Sequence, residues 1–259
     1  MCVPPPQKKR SMLKSFLVII GDRLRRINGI KPFIRKYLNP VRELYWQEVV
    51  NKRRRPFLKY GQEALRVFHE TAEQCGVEYT LAFGSVLGAI REHGFIKHDL
   101  DIDTFMSIHS LNRDFYSALF KKGFKWYCNY SIAGDKLGRE DTLEYKGCHL
   151  DIFYLYKIDS KFSYCCDFLT SASDHMIIPR KLIVPINGME RRLERFEKIS
   201  VFVPENAEEF CEFRYGPSYM IPNSSWTCRD KIDSVIEWPE VASVTVINKH
   251  PQISSFFRK

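Results

Sequence analysis

Leu13, Phe16, Leu17, Ile20, Leu24 and Ile27 recur at three- and four-residue steps within residues 12–38, so they share one helical face. Lys14, Arg23, Arg25 and Arg26 fall mostly off that face. The Lys52–Arg55 run reads as a solvated turn, and Pro56 suits the first turn of a new helix. Leu58, Leu65, Phe68 and Ala72 keep helical spacing, and Gly76 fits a C-terminal stop. A β-rich run over 77–83 follows, then a turn at Gly84-Ser85 and a short helix over 86–92. The pattern continues with a strand over 99–106, a helix over 111–122 and a strand over 124–130. Residues 143–146, Gly147 and 148–156 read as a hairpin, and 201–204 as a short strand. Asn206, with Glu209 three residues on, has the form of a capping box for a helix ending at Tyr215, before Gly216 and Pro217. Strands interleaved with helices predict a small α+β domain with a mixed sheet flanked by helices.

Charge divides this picture in two. The 259 residues carry a formal net charge of +9, but residues 1–60 hold 16 Lys and Arg against three acids. The rest is slightly acidic, so a basic helical N-terminal arm (1–55) precedes a domain over 56–259. The basic excess avoids that domain, and no nucleic-acid partner is expected. The apolar run at 16–20 is too short to span a bilayer and lacks a small-residue cleavage site after it. The arm reads either as an interfacial helix on an anionic membrane or as an ordinary helix packed on the domain, with a nucleic-acid arm as a third option. Eight cysteines show no CxxC pair and no metal-like spacing. Cys165 and Cys166 are adjacent, and Cys75, Cys128 and Cys211 sit in apolar segments. A reducing, cytoplasmic setting is expected, with peripheral contact on the cytoplasmic face of a membrane through the arm.

The candidate chemistry lies in HDLDIDTFM, residues 98–106. Alternation puts Asp99, Asp101 and Asp103 on one strand face and Leu100 and Ile102 on the other. Same-face neighbours are about 7 Å apart, and each adjacent ionised pair repels by roughly 2.4 kcal/mol at an effective dielectric near 20. A divalent cation removes that cost, since Mg²⁺ takes carboxylate and phosphate oxygens. The plainer reading is an exposed acidic strand neutralised by Arg91, Lys97 and His98. Gly84-Ser85, at a strand end before a helix, suits a phosphate cradle, although alone it would be a tight turn. Asp151 stands inside the apolar CHLDIFYLY run, where a lone charge needs a partner. If its strand lies beside the 99–106 strand, Asp151 joins Asp101 and Asp103 in a set suited to phosphoryl transfer. His149 shares its strand face. No G-x-S-x-G elbow supports a hydrolase.

Residues 84–103, GSVLGAIREHGFIKHDLDID, resemble the signature of the LicD/fukutin-related phosphotransferase family, with its Leu-Gly-x-x-Arg (Leu87, Gly88, Arg91), Gly-Phe-Ile (94–96) and D-x-D-x-D. HLDIF (149–153) resembles the family's third-aspartate strand, and residues 203–222 its late element. His98 stands where Trp is common in the family. The resemblance implies a nucleotidyltransferase-like fold. It also implies transfer of a phosphoryl-alcohol, such as phosphocholine or ribitol phosphate, from a CDP-linked alcohol donor to a hydroxyl of a cell-surface glycan or lipid-linked glycan precursor. By position, Asp101 and Asp103 would bind Mg²⁺ or Mn²⁺, and Asp151 would be the third ligand or the base. Asp99 would support them, Gly84 and Ser85 would hold the diphosphate, and Arg91 would either stabilise charge or bridge to the acidic strand. Tyr215-Gly216 would end a packing helix near the site. Two rival readings share parts of this pattern: a template-free nucleotidyltransferase acting on RNA or a small molecule, and a non-catalytic membrane-associated scaffold.

Overall fold

The structure is a computed structural model that describes residues 39–170, 177–223, 235–237 and 244–246; the amphipathic segment over 12–38 lies outside them. It opens on α1 (Asn39–Gln74), a single 36-residue helix with Pro56 inside it. The turn expected at Lys52–Arg55 is therefore absent, and those residues are helical. Proline removes one intrahelical bond but does not prevent a helix that tertiary packing holds. Pro56 backs onto the Gly147 turn, and Phe57, Ala64, Leu65, Phe68 and Ala72 are buried beside it. Leu58, expected on the buried stripe, is 70% exposed, because Phe57 and Ala64 centre that stripe on the other side of it.

After α1 come β1 (Thr80–Leu81), α2 (Phe83–Glu92), β2 (Asp101–Ser107), a 3₁₀ turn (Ile108–Ser110) and α3 (Arg113–Lys121). Then follow β3 (Phe124–Ile132), β4 (Gly138–Tyr145), β5 (Cys148–Lys157), β6 (Ser163–Thr170) and β7 (Ile177–Val184). The described chain closes with β8 (Arg191–Phe196), β9 (Ile199–Pro204), α4 (Ala207–Tyr215), β10 (Val235–Glu237) and β11 (Val244–Val246). Among the described residues the main sheet has nine strands, in the order β10-β7-β6-β5-β4-β3-β11, with β2 paired to β5 and β1 to β2. The β2–β5 pair is parallel and the other pairs are antiparallel, so the sheet is mixed and the fold is α+β. β8 and β9 form a separate two-stranded sheet. No helix among the described residues is long and apolar enough to cross a membrane.

The β4–β5 hairpin turns on Lys146 and Gly147, both at positive φ, as a two-residue turn between twisted strands requires. β4 starts at Gly138, five residues before its expected start, although its first residues are charged. Those charges are satisfied inside the fold. Asp141 is fully buried and accepts from the Arg139 guanidinium at 3.0–3.1 Å, from Tyr116 Oη at 2.5 Å and from Tyr154 Oη at 3.1 Å. Asn206 supplies no side-chain cap to α4. Its Nδ2 donates instead to Pro185 O at 2.6 Å and to Glu209 Oε2 at 3.1 Å, which ties the helix start to the segment after β7. Cys75, Cys128, Cys148, Cys165, Cys166 and Cys211 are free thiols.

Alternation along the strands gives the sheet two dissimilar faces. One face carries Ile102, Met106, Ile152 and Tyr154, all buried. The other carries Asp101, Asp103 and Phe105 on β2, with Asp151 and Phe153 on β5. There the rings of Phe83, Phe105, Phe153 and Phe210 meet at centroid distances of 4.9–6.5 Å and lock α2, β2, β5 and α4 together beside the acidic row.

Candidate active site

β2 begins at Asp101 rather than at residue 99, so Asp99 stands on the approach to the strand, its N–H bonded to Ile96 O at 3.0 Å. Asp99, Asp101 and Asp103 nevertheless line one cavity of about 460 Å³, together with Asp151, Gly84 and Arg91. The parallel register sets Asp103 directly beside Asp151, and Asp101 beside His149. Thr104 Oγ1 donates to Asp151 O at 3.0 Å across the same two strands. Ala82 N–H donates to Asp103 O at 2.9 Å, and Asp103 N–H donates to Ser85 Oγ at 3.0 Å. Ser85 is 1% exposed, so its hydroxyl braces β2 from behind.

Gly84 lies in the first turn of α2, whose N-cap Ala82 offers no side-chain acceptor. First-turn N–H groups of such a helix suit an anion. A Cβ on Gly84 would come 3.0 Å from Asp99 Oδ1, so a larger residue there would make the Asp99 carboxylate give way. Arg91, in the last turn of α2, donates to Glu92 Oε1 at 2.9 Å and to Tyr219 O at 3.0 Å. It thereby fastens the segment after α4 over the cavity, where Tyr215, Tyr219 and Ile221 form part of the wall.

Like charges crowd this wall. Burial, and then the Asp101 charge, push the Asp99 carboxyl up to about 8 and that of Asp151 up to about 6. Burial, Asp101 and Asp151 hold the Asp103 carboxyl well above the ordinary carboxylate range. Asp99 Oδ2 and Asp151 Oδ1 are buried without a hydrogen-bond partner, and Asp103 has no ion pair among the described residues. Orphaned carboxylate oxygens facing other carboxylates are the donor chemistry of a hard cation. Among the described residues no three His, Cys, Asp or Glu side chains converge as a finished metal cage. The wall is thus a row of suitable oxygen donors and not a closed coordination sphere.

One member of the site comes from the arm side of the sequence. Arg53 reaches from α1 to Asp101 Oδ2 at 3.5 Å and to His149 Nδ1 at 2.6 Å, with 10% of its side chain exposed. Burial and the Arg53 charge push His149 down to about 3, and its ring lies 4.1 Å from that of Tyr127. In the sequence Arg53 looks solvated because its neighbours in the basic run are; only the depth of its own position on the helix sets it apart. Arg53→Met is expected to lower stability by about 1–3 kcal/mol in urea unfolding, since it strips a buried charge-assisted contact from Asp101 and His149. Arg53→Lys should recover less than half, because one ammonium nitrogen cannot occupy both positions from which the two guanidinium nitrogens reach Asp101 and His149. An unchanged unfolding midpoint in Arg53→Met would show the contact to be incidental.

Past the aspartates the same cavity is lined by Glu140, Asp167 and Arg214. The sequence pattern singles out neither Glu140 nor Arg214. Asp167 carries the signal that Asp151 does, a lone carboxylate in an apolar strand (SYCCDFLT), and pairs with Arg180 across β6 and β7.

A family model described as LicD/FKTN/FKRP, nucleotidyltransferase domain, matches residues 76–206. That span holds β1, α2, β2 and β5, and with them every aspartate of the cavity wall. The chain is 24% identical over 196 residues to the ribitol-5-phosphate transferase FKTN of Mus musculus, a match covering 71% of this chain and 40% of the relative. The corresponding proteins of Macaca fascicularis and Homo sapiens are 24% and 23% identical over 199 residues, with the same coverage. The chain spans about 40% of the length of these curated relatives. It belongs to the LicD/FKTN/FKRP family and carries that family's nucleotidyltransferase domain.

Proposed function

We propose that the protein is a divalent-metal-dependent phosphotransferase that moves a phosphoryl-alcohol from a CDP-activated donor to a hydroxyl of a glycan or of its lipid-linked precursor. The observation that carries this reading is the pairing of Asp103 with Asp151 on adjacent parallel strands, beside Asp101, in a cavity that the start of α2 also reaches. The family and the ribitol-5-phosphate transferases that the chain resembles support it. Asp101, Asp103 and Asp151 would hold Mg²⁺ or Mn²⁺, which when bound supplies positive charge against the donor diphosphate.

The protein's own groups do the rest. The first turn of α2 at Gly84 receives the diphosphate, and Arg91 holds the roof segment down while adding positive charge beside Asp99. The acceptor hydroxyl oxygen attacks the phosphorus next to the alcohol, the bond from that phosphorus to the CMP oxygen breaks, and CMP leaves. Asp151 serves as the third ligand or takes the hydroxyl proton.

With Mg²⁺ present, CDP-ribitol, CDP-glycerol, CDP-choline and CDP-ethanolamine should be screened by thermal shift. At least one is expected to raise the melting temperature by several degrees, since a ligand at 100 times its Kd stabilises by about 2.7 kcal/mol. The product of turnover should be free CMP, with the phosphoryl-alcohol on the acceptor. A nucleotide found attached to the acceptor by mass would make the protein a nucleotidyltransferase instead. No response to any donor, with or without metal, would remove the enzymatic reading.

A further inference from the structure

Asp101 is supported from outside the cavity. Its carboxylate belongs to the cavity wall, whereas Arg53 and His149, which touch each other, do not line it. The parallel register sets Asp101 beside His149, and Arg53 bridges the two from α1. Its Nη1 donates to Asp101 Oδ2 at 3.5 Å and its Nη2 to His149 Nδ1 at 2.6 Å. A guanidinium can only donate, so His149 Nδ1 is the acceptor and the ring is the neutral tautomer with its proton on Nε2. His149 is 7% exposed, and its ring lies 4.1 Å from that of Tyr127, so β3 also holds it.

α1 is pinned at this level. Pro56 packs on the Gly147 turn between β4 and β5, and Arg54 Nη2 donates to Lys97 O at 3.3 Å in the segment leading to β2. The depth of Arg53 is thereby set. Asp101 Oδ2 is committed to it, and Oδ1 is the oxygen left for the cavity. A plain counter-charge would not need this arrangement. Any nearby cation offsets a carboxylate, but a planar fork shared with a fixed imidazole also sets its orientation. Groups that hold a metal ligand in place govern affinity although they never touch the metal.

We propose that Arg53 and His149 are a positioning pair for Asp101, orienting its carboxylate for the divalent cation, and that α1 is therefore part of the catalytic unit. This rests on the metal-dependent reading above. It also moves the boundary of that unit. Arg53 precedes residue 76, where the match to the family's domain begins, and a division after residue 55 would cut α1 just beyond it.

Titration of the full chain with Mn²⁺, with and without CDP, read from the electron spin resonance of free Mn²⁺, tests this without turnover. The variants keep the charge of the wild type, because losing a positive charge beside the site, as in Arg53→Met, would itself favour a cation. His149→Leu removes the acceptor and should weaken Mn²⁺ binding by about fivefold or more. His149→Asn offers an amide oxygen in place of Nδ1 and should bind within about twofold of the wild type. Arg53→Lys keeps the charge without the fork and should also lose about fivefold or more. Circular dichroism shows which variants are folded at the temperature used, and if one of the two weakening variants is not, the other decides. A smaller loss in either folded variant, or an Asn variant as weak as the Leu variant, would overturn the pair and leave Arg53 a plain counter-charge. A wild type that binds no Mn²⁺, with or without CDP, would overturn the cation site itself and the pair with it.

Discussion

Asp103→Asn is expected to abolish transfer and, at the same time, to make the metal-free protein harder to melt. Transfer should fall on the order of a thousandfold, since the residue sits at the centre of the acidic row and the charge stabilisation it supports is worth several kcal/mol. The opposite sign for stability follows from the same geometry. Asp103 is held well above the ordinary carboxylate range by burial and by Asp101 and Asp151, while Asp99 stands near 8 and Asp151 near 6. In the unfolded chain these groups titrate near 4. As pH rises from about 4 to about 8, the folded metal-free chain keeps protons that the unfolded chain has released, so stability falls with pH. An asparagine at 103 removes one such group and its repulsion on the others, and it is nearly the same shape. The melting temperature near pH 8 should therefore rise by roughly 3–6 °C, and the gain should vanish toward pH 4. Mg²⁺ should raise the wild-type melting temperature at pH 8 by more than that of the variant. Melting curves across that pH range and a CMP-release assay check both halves. Transfer within tenfold of wild type, or a variant that melts earlier at pH 8, would show that Asp103 is not part of a cation site.

Such a function-for-stability exchange is partly legible in the amino-acid pattern alone. Alternating Asp and aliphatic residues cannot all be core, so one face of the 101–103 strand has to be polar, and it is. The hairpin at Lys146-Gly147 is legible because a two-residue turn with a glycine separates two β-rich runs. Pairings between distant segments leave no local trace. Arg53 sits in a run of four bases, and only its position on the buried side of a helix that continues through Pro56 separates it from its solvated neighbours. The pattern shortens β4 because Arg139, Glu140 and Asp141 look like loop residues. Asp141 is tolerable in a strand because Arg139, Asn129, Tyr116 and Tyr154 converge on it from four elements. Likewise, the capping pattern at Asn206 is correct as a sequence, but the amide is used by Pro185 O, a partner 21 residues away.

Gly88→Ala is expected to be strongly damaging for a single added methyl, and for a reason the helix itself does not supply. In the middle of a helix such as α2, replacing glycine with alanine ordinarily stabilises by about 1 kcal/mol. Gly61, inside α1, is such a case: a Cβ there would meet Phe57 and Phe95 at 3.4 Å, an ordinary contact. At Gly88 a Cβ would lie 2.4 Å from the carbonyl oxygen of Gly94 and 3.3 Å from the nitrogen of Ile96. Both are backbone atoms, so no rotamer change relieves the overlap. The chain after α2 also folds back onto this residue, with the His93 and Gly94 N–H groups donating to Gly88 O. Relief requires the 93–96 turn to move, and Asp99, whose N–H is bonded to Ile96 O, moves with it. Overpacking against fixed atoms costs more than the helix preference returns, so the net loss should be about 2 kcal/mol or more, a fall of roughly 4–8 °C in melting temperature. Gly61→Ala should melt at or slightly above the wild-type temperature. Because the displaced turn carries Asp99, Gly88→Ala should also weaken CMP binding with Mg²⁺ at temperatures where the variant is still folded, which a loss of stability alone would not do. Equal melting temperatures for the two alanine variants would show that the 93–96 turn yields freely, and that the glycine of the Leu-Gly-x-x-Arg motif is not there to let the turn approach the helix.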